Sequence, residues 1–204
     1  MRCNHRFVLT RFVLVLSLAF ALTSTASAKP GDFVFDLGGE RFDPLVTAPA
    51  SLFANDWSTR TSPADTADLK LVQFNGPVRQ AWLDDLRVRG AEPLQYIHPH
   101  GYIVWGTGSA LEAPATAVRW QGDFLPAFRL LPQWRSLSTE PIRVGVLIVR
   151  QAGEESVVGE LERLGASREG VRVLDDRFAH AVVTVQGGQL SELATVPGVY
   201  SVQP

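Results

Sequence analysis

The sequence predicts an α+β protein in which one order of elements occurs twice: strand, helix, strand, strand, helix, strand, with the helices on one face of an antiparallel sheet. Three observations predict it. Residues 69–106 run through a period of two, then a helical period, then a period of two again. The same succession returns over residues 142–202. The first helix of each copy ends in one spelling, Leu-x-x-x-Gly-Ala, at residues 86–91 and 161–166, an offset of 75.

The chain opens on Arg2, Arg6 and Arg11, an apolar run at residues 12–22 and the small-residue triplet Ala26, Ser27, Ala28. Residues 1–28 therefore read as a secretory signal peptide, too short and wrongly flanked for a membrane span. Residues 29–67 differ in texture. Gly, Pro, Asp, Ser and Thr are scattered among Phe33, Phe35, Phe42, Leu52, Phe53 and Trp57, which keep no sustained period. The expectation is an extended leader that docks a few aromatics on a neighbour.

The first module is expected over residues 68–131. Leu69, Leu71 and Gln73 share one face of a strand and Lys70, Val72 and Phe74 the other. Asn75-Gly76-Pro77 breaks that strand, and Pro77 suits the first position of a helix. Val78, Trp82 and Leu86 form its apolar stripe, and Gly90 ends it. Residues 94–97 and 102–105 are strands around the turn His98-Pro99-His100-Gly101. Ser109 is placed to cap a short helix that Pro114 weakens, and residues 118–120 make a fourth strand. Pro126, Pro132 and Pro141 then punctuate a semi-rigid, partly packed stretch, with residues 132–141 as the linker between the modules.

The second module is expected over residues 142–204. Residues 142–149, rich in Val and Ile on both faces, read as a central strand. Residues 154–164 are a helix with Glu154 and Glu155 at its positive end and Gly165 past its close. Residues 171–174 and 181–185 flank a turn at Asp175, Asp176 and Arg177. A short helix at 189–195 and a strand at 199–202 complete the order, which in both copies is the ferredoxin-like, split βαβ arrangement.

Composition narrows the function classes. Without residues 1–28 the chain loses three of its 19 Lys and Arg and none of its 21 Asp and Glu, leaving five more acids than bases. A mildly acidic chain with no basic cluster argues against nucleic acid as a partner, and no second apolar run offers a membrane one. Cys3, the only cysteine, leaves with the signal, taking disulfides, thiolate metal sites and a cysteine nucleophile with it. The expected localisation is secreted or periplasmic.

Residues 71–106 carry a resemblance. Val72-Gln73-Phe74, Gly76-Pro77, Trp82, Gly90-Ala91, Tyr96-Ile97 and Tyr102-Ile103-Val104 are similar in order and wording to the N-terminal prodomains of secreted bacterial subtilisin-like serine proteases, notably the fervidolysin-like type. The histidines flanking Pro99 shift that proline by one place. The second module looks like another prodomain unit, with residues 193–199 similar to the family's closing helix and turn. The resemblance implies ferredoxin-like units that dock a sheet face on a protease, template its folding and block its cleft with the segment leaving the last strand. Here that partner-binding tail is Tyr200, Ser201, Val202, Gln203 and Pro204, an extended segment suited to pairing with a cleft edge.

The protease itself is not expected in this chain. Its Asp-Thr-Gly, His-Gly-Thr-His and Gly-Thr-Ser-Met-Ala signatures are missing, and the nearest string, Gly106-Thr107-Gly108, lacks the serine. A triad from His180 with Asp175 or Asp176 has no serine marked for it. His98 and His100 have chelating spacing but no marked third ligand, so no metal and no cofactor are expected. Three functions follow. The first is a non-catalytic propeptide-like protein that chaperones and inhibits a subtilisin-like serine protease, in cis or in trans. The second is the front of a longer protease precursor, favoured by a last strand with no closing structure after it. The third is a stand-alone extracellular interaction module.

Overall fold

A computed structural model describes residues 33–112, 117–135 and 140–203. The expected signal peptide and Pro204 lie outside the described residues, as does Pro114. Among the described residues are antiparallel sheets covered by a few short helices: a two-stranded hairpin and two four-stranded sheets.

The first four-stranded sheet uses β3 (Asp68–Phe74), β4 (Glu92–Ile97), β5 (Gly101–Gly106) and β6 (Val118–Asp123), in the order β4-β5-β3-β6. All neighbours are antiparallel. β3 alternates as its sequence dictates. Val72 and Phe74 join Leu83, Leu86, Val104 and Leu111 in the core beneath α1 (Gln80–Val88) and α2 (Gly108–Glu112). Leu69 and Leu71 face the opposite way, into a separate core. α1 starts later than Pro77 predicts, because Val78 is drawn onto the sheet core and Arg79 is still extended at φ −111°. Thr107, not Ser109, caps α2: its hydroxyl accepts the Ala110 N–H at 3.2 Å.

The second sheet uses β7 (Pro141–Val149), β8 (Ser167–Val173), β9 (Phe178–Gln186) and β10 (Val199–Gln203), in the order β10-β7-β9-β8. β7 is interior, as its two apolar faces require. Numbered within its own unit, each sheet runs fourth, first, third, second. One face carries α4 (Glu154–Arg163) and α5 (Leu190–Leu193), with Val157, Val158, Leu161 and Leu193 packed on Val144, Val146, Val183 and Val185. β8 begins four residues before the period-two pattern shows it, because a bulge at Glu169 breaks the alternation.

The repeated spelling makes a repeated cap. Ala91 N–H donates to the Leu86 carbonyl and Gly90 N–H to that of Arg87. Ala166 and Gly165 do the same to Leu161 and Glu162. Both glycines sit at positive φ, 86° and 90°, which completes a Schellman motif after each helix.

The leader is not extended. β1 (Phe35–Leu37) and β2 (Glu40–Phe42) pair through a two-residue turn in which Gly38 and Gly39 both take positive φ, the requirement of a tight hairpin. Phe35 and Phe42 are buried with Leu69, Leu71, Ile103 and Phe124, and the Phe35 ring fills the space a side chain on Gly101 would need. Arg119 clamps the hairpin's exit through both oxygens of Asp43 at 2.8 Å, and that guanidinium holds the Asp43 carboxyl below its ordinary value.

The start of the proline-rich passage is packed. Pro126 opens α3 (Pro126–Arg129), and Phe124, Leu125, Ala127, Arg129 and Leu130 are all buried. Arg129, 3% exposed, donates to the Phe124 and Val196 carbonyls and to Asp68 Oδ2 at 3.0 Å. Asp68 also accepts from the Ser62 hydroxyl and the Gly198 N–H. Leader, first sheet, α3 and the loop before β10 thus meet at one ion pair.

Two glycines of the second unit separate conformational need from habit. Gly159 is helical with nothing within 4 Å of an added Cβ, whereas Gly165 stands at φ 90°. Gly159→Ala should raise stability by roughly 0.5–1 kcal/mol. Gly165→Ala should lower it by about 1–2 kcal/mol. Denaturant midpoints measured side by side check both signs.

Candidate functional site

The sheet faces turned away from the helices have different fates in the two units. That of the first sheet is closed: Leu69, Leu71 and Ile103 lie under Phe35, Phe42 and Phe124. That of the second is closed only at one end, where Val149, Phe178 and the half-buried Leu147 and Tyr200 join the same core. Its other end is open to solvent.

This open end is built by β7, β8, β9 and β10 together. Alternation along β7 puts Arg143 and Gly145 opposite the helix-facing Val144 and Val146. On β9 the same rule turns His180, Val182 and Thr184 outward. Gly145 matters here because a Cβ on it would stand 2.5 Å from His180 Nε2, so the imidazole lies across the bare strand. Beside it, Glu169 accepts from Arg143 at 2.6 Å and from Thr184 at 2.7 Å, and Arg143 is the first cause of the lowered Glu169 carboxyl. The β8 bulge is what brings Glu169 round to this face; Arg172 sits across from His180. A hollow of about 280 Å³ lies among Arg143, Gly145, His180, Val182 and Gln203. The surface is polar, of mixed charge, and bordered by two edge strands.

The expected tail divides between inside and outside. Tyr200 is an internal clamp: its ring stacks on Phe124 at 5.9 Å and meets Phe178 edge-on at 5.0 Å, and its hydroxyl donates to Gln95 Oε1 of the first sheet at 2.8 Å. Val202 is 1% exposed in the second core. Ser201 and Gln203 pair with Leu147 and Gly145 of β7, and Gln203 is exposed next to the hollow. Pro204 lies outside the described residues.

The other singled-out residues have structural employment. Asp175 Oδ1 accepts the N–H groups of Arg177 and Phe178, which closes the β8–β9 turn and lowers the carboxyl, so it does not serve His180. His100 holds φ 57° in the turn after β4, its N–H on the Tyr96 hydroxyl and its ring against Phe33. Thr107 of the Gly-Thr-Gly string caps α2. Among the described residues, no three His, Cys, Asp or Glu side chains gather as a metal site. Nor is any described helix long and apolar enough to cross a membrane. The open face itself was hidden from sequence reasoning. Its signal, Arg-x-Gly on β7 with His-x-Val-x-Thr on β9, looks like an ordinary half-exposed sheet until the neighbouring strands are known.

Residues 36–125 match the profile of a family described as a domain of unknown function, DUF8729. The matched stretch takes in most of the hairpin and all of the first four-stranded sheet, and stops before α3. No curated protein matches the chain.

Burial pushes the Tyr200 phenol up to about 12 from its ordinary 10. A raised value means the folded state favours the neutral form. Its contribution is complete below pH 10 and is lost as pH rises through about 12. Alkaline unfolding followed by fluorescence should therefore show a steep loss over that interval, and Tyr200→Phe should flatten it.

Proposed function

We propose that the chain is a secreted, non-catalytic, propeptide-like protein that chaperones and inhibits a subtilisin-like serine protease, and that its two sheets are tandem ferredoxin-like units. The strand order fourth, first, third, second in both, with two helices packed on one face, supports the fold part of this reading. The likeness of residues 71–106 to protease prodomains supports the functional part.

The observation that carries it is the half-open face of the second sheet. A prodomain of this kind docks through its sheet face, and among the described residues only the second unit has such a face to offer, because the first spends its own on the hairpin and α3. Arg143, Glu169, Arg172 and His180 would contribute charge and hydrogen bonding to the docked surface, and mixed charge favours selectivity and encounter rate over raw affinity. Gln203 lies at the rim of that surface. A chain leaving it would run along the partner, where it can pair as an added strand. The internal employment of Tyr200 and Val202 favours a second reading, an extracellular interaction module that binds by its face alone.

Titration against subtilisin with a small peptide substrate tests the proposal. Hydrolysis should fall progressively as the chain reaches micromolar concentration. Arg143→Glu, at a 69% exposed side chain whose ion pair adds little stability, should weaken inhibition at least tenfold with the fold intact. Undiminished hydrolysis at micromolar chain would sink the inhibitor role for that protease.

A further inference from the structure

A second concavity, of about 370 Å³, lies where α1 and β4 of the first unit meet the β8–β9 turn of the second. Its floor is apolar: Leu83, Leu94 and Phe178, none more than 9% exposed. Its walls are polar, and each key side chain is held by internal contacts that leave a donor over. Arg177 donates through Nη1 to the Leu94 carbonyl at 2.7 Å and lies over the Phe178 ring. Nη2 stands in a long ion pair, 4.0 Å from Asp175 Oδ2 and beyond hydrogen-bond reach, while Asp175 Oδ1 accepts two backbone N–H groups. Gln95 has its amide oxygen taken by the Tyr200 hydroxyl, which leaves its NH₂ group. Tyr96 accepts the His100 N–H and keeps its own hydroxyl hydrogen, with its ring braced edge-on against Tyr102. The nearby acids are spent on one another's neighbours: Asp84 binds Arg87 and Gln80, Glu92 binds Arg87, and neither lines the cleft.

Donors held in place over an apolar floor suit an anion that carries an apolar group. A guanidinium fixed at one nitrogen keeps its remaining donors ready for a carboxylate. β4 is an edge strand of its sheet, so an extended backbone can lie beside the part of it that Arg177 does not cover at Leu94. We propose that this cleft binds the C-terminal end of a short peptide. The terminal carboxylate is received by Arg177 with the Gln95 amide and the Tyr96 hydroxyl, and the last apolar side chain rests on Leu83, Leu94 and Phe178. The volume suits a ligand of a few residues. The inference rests on the cleft alone and does not depend on the protease reading.

Calorimetry on the whole chain with N-acetyl-Ala-Leu-Leu as free acid, the same peptide as its C-terminal amide, and inorganic phosphate tests it. The free acid should bind saturably at about 1 mM or tighter. The amide should bind at least tenfold more weakly, the size expected for a lost charge-assisted hydrogen bond. Phosphate should not displace the acid. Arg177→Gln should weaken the acid at least tenfold, and Arg163→Gln, at an exposed side chain that does not line the cleft, should not. Equal binding of acid and amide, displacement by phosphate, or no binding of the acid overturns the proposal. Should Arg177→Gln fail to fold, the acid-against-amide comparison on the unaltered chain decides it.

Discussion

Asp68 and Arg129 face each other in the interior at the join between the two sheets, and the arrangement of the rest depends on that pair. Removing two charges from water costs several kcal/mol for each ion, so the pair holds only if its geometry is complete. It is complete here because three separate segments supply partners: Ser62, Phe124, and the α5–β10 connection through Val196 and Gly198. A displacement of any one leaves a buried charge short of a hydrogen bond. The ion pair is therefore less a source of attraction than a penalty on every other way of seating these segments.

That constraint explains the asymmetry between the units. To bring Val196 and Gly198 to Arg129, the second sheet must rest one end of its free face on Phe124, which is where Phe178 and Tyr200 pack. The first sheet's free face is then shut between Phe124 and the hairpin phenylalanines, while the far end of the second stays open. The same seating sets Arg177 against Leu94 and Tyr200 against Gln95, and so shields part of the β4 edge and builds the donor-lined cleft. Docking face and cleft are both consequences of one join.

Local patterns were legible and assembled ones were not. Leu86, Gly90 and Ala91 spell a cap that depends only on six consecutive residues, so its repetition at Leu161, Gly165 and Ala166 could be read directly and is realised with the same hydrogen bonds. β1 and β2 are three residues each, too short for a period to show, although Gly38-Gly39 between Leu37 and Glu40 was a turn signal. Arg129 sits among prolines, where a charged residue reads as solvated linker; nothing local announces that Asp68, 61 residues earlier, will meet it. The Tyr200 tail reads as a free strand end for the same reason, since Phe124, Phe178 and Gln95 come from three distant segments.

Native-state hydrogen exchange tests the central claim, that the two sheets form one cooperative unit through the Asp68–Arg129 join. The amides of Leu71 in β3 and Val183 in β9, each in an interior strand of its own sheet, should exchange with the same opening free energy. Arg129→Met should lower both together, by about 3–5 kcal/mol, the usual effect of stripping a buried ion of its partner. Separate opening free energies in the unaltered chain, or a loss confined to one sheet, would contradict it.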